Sequence, residues 1–229
     1  MSRRYVVALA GGWLAAAGIA GVPRIASAEP AAAALKVVAL GDSLTAGYGL
    51  PASAAFPARL QAALKAKGVD AEIVNAGVSG DTASGGRDRL DWSVPEGTDA
   101  VILELGANDA LRGIDPDVTR AALDEILKRL KARKVAVLLA GMYAGRNFGP
   151  DYTARFDRIY PELATAHDVP LYPFFLDGVA GEDKLNQRDG IHPTAAGVDV
   201  IVARILPTAE AFLRGVGEAR RAAAGSAAR

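Results

Sequence analysis

Five apolar runs recur along this chain, with amphipathic or polar stretches between them: Leu35–Leu40, Ala71–Val74, Ala100–Leu105, Lys134–Ala140 and Val169–Phe175. Most are nearly continuous in Val, Leu and Ile, without the alternation expected of a strand that has one face in water. Such runs suit strands covered on both faces. The intervening segments carry helical spacing. Asp115-Pro116 reads as an N-cap and first helical residue, followed by Leu123, Ile126, Leu127 and Leu130 at i, i+3, i+4 and i+7. Val198, Ile201, Val202 and Ile205 repeat the pattern after Pro193 at a helix start, and Pro207 should kink or stop that last helix. Alternating β and α predicts an α/β fold: a three-layer α/β/α sandwich around a five-stranded parallel sheet, with right-handed crossovers.

The N-terminal stretch does not belong to that pattern. Ser2-Arg3-Arg4 is a basic start, Val6 to Ala20 is mostly apolar, and Ala26-Ser27-Ala28 is a small-residue cleavage site. Residues 1–28 therefore read as a secretory signal whose apolar region is short for a membrane span, so no transmembrane anchor is expected after cleavage. The paired arginines also suit twin-arginine export, beside the Sec route. The expected destination is the periplasm or the medium. Residues 29–34 read as a linker, 35–216 as the folded domain and 217–229 as an alanine-, arginine- and glycine-rich tail that should fray. The signal holds three arginines and no acids, so the remainder has 23 basic against 26 acidic side chains, a net of about −3. That balance, without clustered basic residues, excludes a nucleic-acid footprint. The absence of cysteine excludes disulfides and thiolate-bound zinc.

Each of the first three strands runs into a short polar motif: Gly41-Asp42-Ser43, Asn75-Ala76-Gly77 and Gly106-Ala107-Asn108-Asp109. A parallel sheet delivers all three to its carboxyl edge, where open α/β sheets bind ligands. Asp189-Gly190-Ile191-His192, after the fifth strand, should arrive there too. A serine hydroxyl is a weak nucleophile that must pass its proton to a base, and His192 is the natural base for Ser43. Asp189, three residues earlier, can fix the imidazole tautomer and stabilise the imidazolium. Acyl transfer also develops an oxyanion, for which the Ser43 and Gly77 backbone N–H groups and the Asn108 side-chain amide are the candidate donors. Taken singly, Ser43 could be a helix N-cap, Gly77 a turn residue and Asn108 an Asx turn; four loops converging make coincidence a poor explanation.

Other residues take structural readings. Asp42 should point away from the nucleophile and bind loop amides, and Asp109 should cap the turn that follows it. His167 should be a surface residue or interact with a helix C-terminus. Phe174 and Phe175 read as core. The loop Tyr143 to Tyr152 should border the cleft, with Gly145 and Gly149 permitting movement, and Tyr143, Phe148 and Ile191 are the candidate substrate contacts. No G-x-S-x-G elbow, Walker loop, G-x-G-x-x-G fingerprint or histidine cluster occurs, so neither cofactor nor metal is expected.

GDSLTAGYG, NAGVSGDT, GANDALRG and DGIHP together resemble the four motif blocks of the GDSL or SGNH hydrolases. The similarity runs from about Leu35 to Leu213 and is greatest to the periplasmic thioesterase, lysophospholipase and arylesterase branch. Ala107 stands where that branch often has Asn or a similar residue, a departure that should leave Asn108 unaffected. The resemblance implies a flavodoxin-like sandwich with a shallow cleft, in which Ser43, Gly77, Asn108 and His192 are the name-giving residues and Asp189 the triad acid. It implies a serine esterase acting through an acyl-enzyme on small-molecule esters or thioesters: aryl esters, acyl thioesters or lysophospholipids. The alternatives are an acetyl esterase of glycans on the same fold, or an inactive acyl-chain binding protein.

Overall fold

A computed structural model describes Met1 and residues 33–227. The expected signal and most of the linker lie outside the described residues. Five strands, β1 (Leu35–Gly41), β2 (Ala71–Gly77), β3 (Ala100–Glu104), β4 (Ala136–Ala140) and β5 (Leu171–Tyr172), form one sheet in the order β2-β1-β3-β4-β5. All pairs are parallel. This is the flavodoxin-like strand order, whose switch point lies between β1 and β3. The register aligns Gly41 with Gly77 on one side and with Glu104 on the other, so β2, β1 and β3 end level. The loops that leave them start from one edge.

Burial follows the sequence pattern. Every residue of β3 is buried, and β1 is buried except at Lys36. The edge strand β2 alternates at its start and exposes Val74. Helices α1 (Ser43–Ala46), α2 (Phe56–Ala66), α3 (Ala83–Asp88), α4 (Leu90–Ser93), α5 (Ala107–Leu111), α6 (Pro116–Ala132), α7 (Pro150–Asp157), α8 (Ile159–His167) and α9 (Ala195–Ala227) connect and cover the strands. Helix α2 packs on α9, while α6 packs on both α3 and α8, which gives the two outer layers. Asp115 caps α6 by accepting from Asp117 N–H, Pro116 takes the first turn, and Leu123, Ile126, Leu127 and Leu130 are its buried stripe.

Three departures have physical causes. The fifth run forms only a two-residue strand because Pro170 and Pro173, which lack an N–H, flank it. The ladder survives through carbonyls, with Leu139 N–H donating to Pro170 O and Gly141 N–H to Tyr172 O. The last helix starts at Ala195, where the Thr194 hydroxyl accepts from Gly197 N–H, and then runs through Pro207 without stopping. An interior proline costs about 3 kcal/mol. Val198, Ile201, Val202 and Ile205 are buried before it, and Ala209 and Leu213 after it. At roughly 1.5–3 kcal/mol for each large apolar side chain, that burial outweighs the proline. Residues 217–227, part of the tail expected to fray, continue α9. Arg220 anchors this end: its guanidinium donates to Asp99 Oδ2 at 3.0 Å and to the carbonyls of Ala33 and Ala34.

Candidate active site

Ser43 opens α1 directly after β1, and its side chain is 8% exposed. Asp42, not Ser43, is the N-cap: its Oδ1 accepts from Leu44 N–H at 2.9 Å. That leaves the serine hydroxyl free for another partner. His192 Nε2 lies 2.9 Å from Ser43 Oγ, and His192 Nδ1 lies 2.7 Å from Asp189 Oδ2. The other Asp189 oxygen accepts from the N–H groups of Ile191 and His192, both at 3.0 Å. These bonds, the imidazole one foremost, pull the Asp189 carboxyl down to about 2. An ionised Asp189 fixes the proton on Nδ1, which turns the Nε2 lone pair toward the serine hydroxyl. The three side chains thus meet with the polarity a serine nucleophile needs.

Asn108 stands in the first turn of α5 and donates from Nδ2 to Asp42 Oδ2 at 3.0 Å. A carboxamide nitrogen carries two N–H groups, so one stays available. Asp42 therefore does more than the expected binding of loop amides: it orients Asn108. Burial pushes its carboxyl up to about 6, opposed by the bonds from Leu44 and Asn108. Beneath it lies Glu104, fully buried at the end of β3, which accepts from the Thr45 hydroxyl at 2.7 Å and from Asp42 N–H at 3.4 Å. Burial first, and the nearby Asp42 charge second, push Glu104 well above the usual carboxylate range. Like charges this close favour one neutral member, and Glu104, pushed up further by its complete burial, is the one that stays neutral.

Gly77 is the residue the structure relocates. Its N–H donates to Asn75 Oδ1 at 3.0 Å, and it lies within β2 rather than on the cavity wall. A glycine is needed there because a Cβ would stand 2.3 Å from Ala46 N and 2.7 Å from Asp42 O, where β2 crosses the α1 turn. The candidate donor is Gly80, three residues on. Gly80 lines the cavity with Ser43, Asn108 and His192, and adopts φ +82°. Its N–H has no acceptor among the described residues, and Arg112 fixes the peptide by donating to its carbonyl at 2.8 Å. The Ser43 N–H, at the first position of α1, is also unpartnered among the described residues.

The cavity, about 440 Å³, is walled mainly by apolar side chains, including Leu44, Leu111, Met142 and Leu176. Tyr143, Phe148 and Ile191 all line it. Phe174, read as core, lines it as well, with its ring 4.8 Å from that of Tyr143; Phe175 is fully buried against Phe56. One other expectation changes: Asp109 does not cap its own turn but accepts from Ala83 N–H and the Thr119 hydroxyl, bracing α3 and α6. His167 takes the second of its two readings: it ends α8, buried, with its ring paired to Asp124 at 2.7 Å.

One supporting residue had no sequence signal. Arg89, 6% exposed, donates to the terminal carbonyls Gly41 O and Ala76 O and pairs with Asp81 at 2.6 Å. It pins the ends of β1 and β2 beneath the loops that carry Ser43 and Gly80. No cluster of potential metal ligands occurs among the described residues.

The model of the GDSL-like Lipase/Acylhydrolase family matches residues 39–200, which holds every side chain of this site. The chain belongs to that family. Similar proteins include the esterase TesA of Pseudomonas aeruginosa, 39% identical over 183 residues that cover 80% of this chain and 91% of that protein. Another is the Escherichia coli thioesterase 1/protease 1/lysophospholipase L1, 43% identical over 164 residues covering 71% and 77% of the two chains. Among solved structures, the family esterase AlinE4 is 44% identical with a TM-score of 0.67, covering 77% of this chain and 95% of its own. Family membership makes the chain a hydrolase of the esterase and thioesterase type.

Proposed function

We propose that this protein is a serine esterase that hydrolyses carboxylic esters and thioesters through an acyl-enzyme. The observation that carries the reading is the unbroken chain from Ser43 Oγ to His192 to Asp189, at 2.9 and 2.7 Å, on the wall of an apolar cavity. Ser43 Oγ attacks the substrate carbonyl carbon as its proton passes to His192 Nε2, and the ionised Asp189 stabilises the imidazolium. The oxyanion is met by the N–H groups of Ser43 and Gly80 and by the free Asn108 Nδ2–H. Collapse expels the alcohol or thiol, which takes the proton from His192. Water then repeats the sequence in reverse and frees the acid, leaving Ser43 as it began.

The substrate classes are aryl esters, acyl thioesters and lysophospholipids. Two features support them: the apolar walls, which suit a hydrocarbon acyl chain, and the thioesterase and lysophospholipase activities named for the E. coli relative. The same walls disfavour an acetyl-only glycan esterase, whose sugar would need polar partners. We infer export as well, from the basic start, apolar run and small-residue site of residues 1–28. A series of nitrophenyl esters and acyl thioesters from acetyl to dodecanoyl tests the substrate reading. Activity should rise beyond acetyl in the wild type and vanish in Ser43→Ala. Activity confined to acetyl esters would transfer the case to the glycan reading, and turnover retained by Ser43→Ala would end the serine mechanism.

A further inference from the structure

His192 and Ser43 are 149 residues apart and sit on different loops, so something must hold the two main chains at the right separation. The loop from Leu185 to Thr194 is closed on itself by an antiparallel bridge between Asn186 and Pro193 and by Thr194 N–H donating to Leu185 O. Its tip, Arg188 to Ile191, is exposed. Among the described residues, only two polar contacts cross from it to the loop of Ser43. One is the His192–Ser43 bond itself. The other runs from Gln187 Nε2 to Tyr48 O, at 2.7 Å.

We propose that Gln187 and Tyr48 form a latch that positions the His192 imidazole over Ser43; this rests on the serine mechanism above and adds its positioning residues. Three hydrogen bonds link the backbone of one catalytic residue to that of the other. Tyr48 N–H donates to Ser43 O at 3.1 Å, Gln187 Nε2 donates to Tyr48 O, and Gln187 N–H donates to His192 O at 2.7 Å. The second Nε2–H reaches Pro193 O at 3.0 Å, so both amide protons of Gln187 are used and its side chain has a single setting. Over this backbone link the Tyr48 ring lies on the imidazole, with centroids 4.5 Å apart and planes at 35°. An aromatic face at that distance restrains the ring.

The neighbouring glycine fits the latch. Gly49 has φ +74°, and a Cβ on it would stand 2.6 Å from Gln187 Oε1. A side chain at position 49 would push the carboxamide off the Tyr48 carbonyl. Neither Gln187 nor Tyr48 belongs to the charge path from Asp189 to Ser43, so their effect on the reaction is through placement. A displacement of about 1 Å in a reacting group can cost roughly a hundredfold.

The test uses the whole protein, a short nitrophenyl ester and a fluorophosphonate that labels Ser43. Gln187→Glu keeps size and shape but cannot donate to either carbonyl, and Gln187→Ala removes the link altogether. Both should lower kcat by roughly 10- to 100-fold, leave KM within about threefold, and slow phosphonate labelling in proportion. Tyr48→Phe, which keeps ring and main chain, should lose much less than Tyr48→Leu. Proton NMR gives a readout apart from activity. The protein has two histidines, and the ring-current shift of His192 protons under Tyr48 should shrink in both Gln187 variants. Where the alanine variant does not fold, the glutamate variant carries the same readings. The latch is overturned if both Gln187 variants keep kcat and labelling within twofold of wild type. It is overturned equally if KM rises with kcat unchanged, which would make the pair a substrate wall. A wild type that neither hydrolyses nor labels would instead refute the serine mechanism, and the His192 ring shift would still judge the latch.

Discussion

Replacing Asp42 by Asn separates stability from activity in a way that few other changes here can. The Asp42 carboxylate makes two bonds, accepting from Leu44 N–H at 2.9 Å and from Asn108 Nδ2 at 3.0 Å. An asparagine has one acceptor oxygen and puts an NH2 group where the second acceptor was. If Leu44 keeps the oxygen, two donors face each other and Asn108 must turn. Its free N–H then leaves the position of the oxyanion, and losing one such donor costs roughly 100- to 1000-fold in kcat, about 2.7–4 kcal/mol. Stability should move far less. Burial pushes Asp42 up to about 6 from its ordinary 3.8, so keeping it ionised above that pH costs on the order of 3 kcal/mol. Asparagine has no charge to desolvate and removes that cost, but it leaves the buried Asn108 donor facing another donor, which costs roughly 1–3 kcal/mol. The terms nearly cancel, and the melting temperature at pH 8 should stay within about 5 °C of wild type. The sign of the pH dependence follows from the raised value. In the wild type this group's ionisation cost is absent below pH 3.8 and grows as pH rises through about 6, so Asp42 contributes relative stability on acidification that the variant lacks. Nitrophenyl butyrate kinetics at pH 8 and thermal melts at pH 8 and 5 read both quantities. A kcat within threefold of wild type would refute the role given to Asp42.

Three further outcomes follow from the same geometry. Asp189→Asn should lower kcat on the order of ten-thousandfold, by analogy with other triads, because the amide no longer holds the proton on Nδ1. Because Asp189 titrates at about 2, its contribution is present above pH 3.8 and lost only as pH falls toward 2; a steady-state pH profile should therefore show no Asp189 limb above pH 4. Gly77→Ala and Gly80→Ala should fail differently. The first forces a Cβ to 2.3 Å from Ala46 N and should lower the melting temperature sharply, whereas the second, with Arg112 Nη2 at 3.6 Å as its nearest neighbour, should cost roughly 1–2 kcal/mol of strain and mainly reduce kcat. Thermal melts paired with kinetics distinguish them. Phe148→Ala should open one wall of the cavity and raise KM severalfold for long acyl chains but little for acetyl esters, as a chain-length series would show.

The pattern of this site explains how far its sequence could be read. Ser43, Asp189 and His192 were legible because their positions are set by topology: parallel strands that end in register deliver their loops to one edge, whatever the loop details. Helix α6 was legible because its cap, its proline and its apolar stripe all agree. Gly77 stays off the cavity wall because of where β2 ends. The strand continues through Asn75-Ala76-Gly77, the Asn75 side chain occupies the Gly77 N–H, and the turn to the cavity comes only at Ser79-Gly80. The grip of Asp42 on Asn108 crosses 66 residues, and that of Gln187 on Tyr48 crosses 139. Contacts at such separation leave no periodicity or spacing to detect. Pro207 reads as a kink or stop because proline rules are local, whereas the burial of residues on both sides of it, which carries the helix through, is a tertiary term.

The central claim is that Ser43 carries the acyl group during turnover, and quenched-flow mass spectrometry of the peptide containing residue 43 tests it most directly. Mixing the protein with nitrophenyl butyrate should give that peptide a transient butyryl increment, formed at the rate of the nitrophenol burst and lost at the rate of steady-state turnover. Full turnover with the peptide never modified would contradict the account.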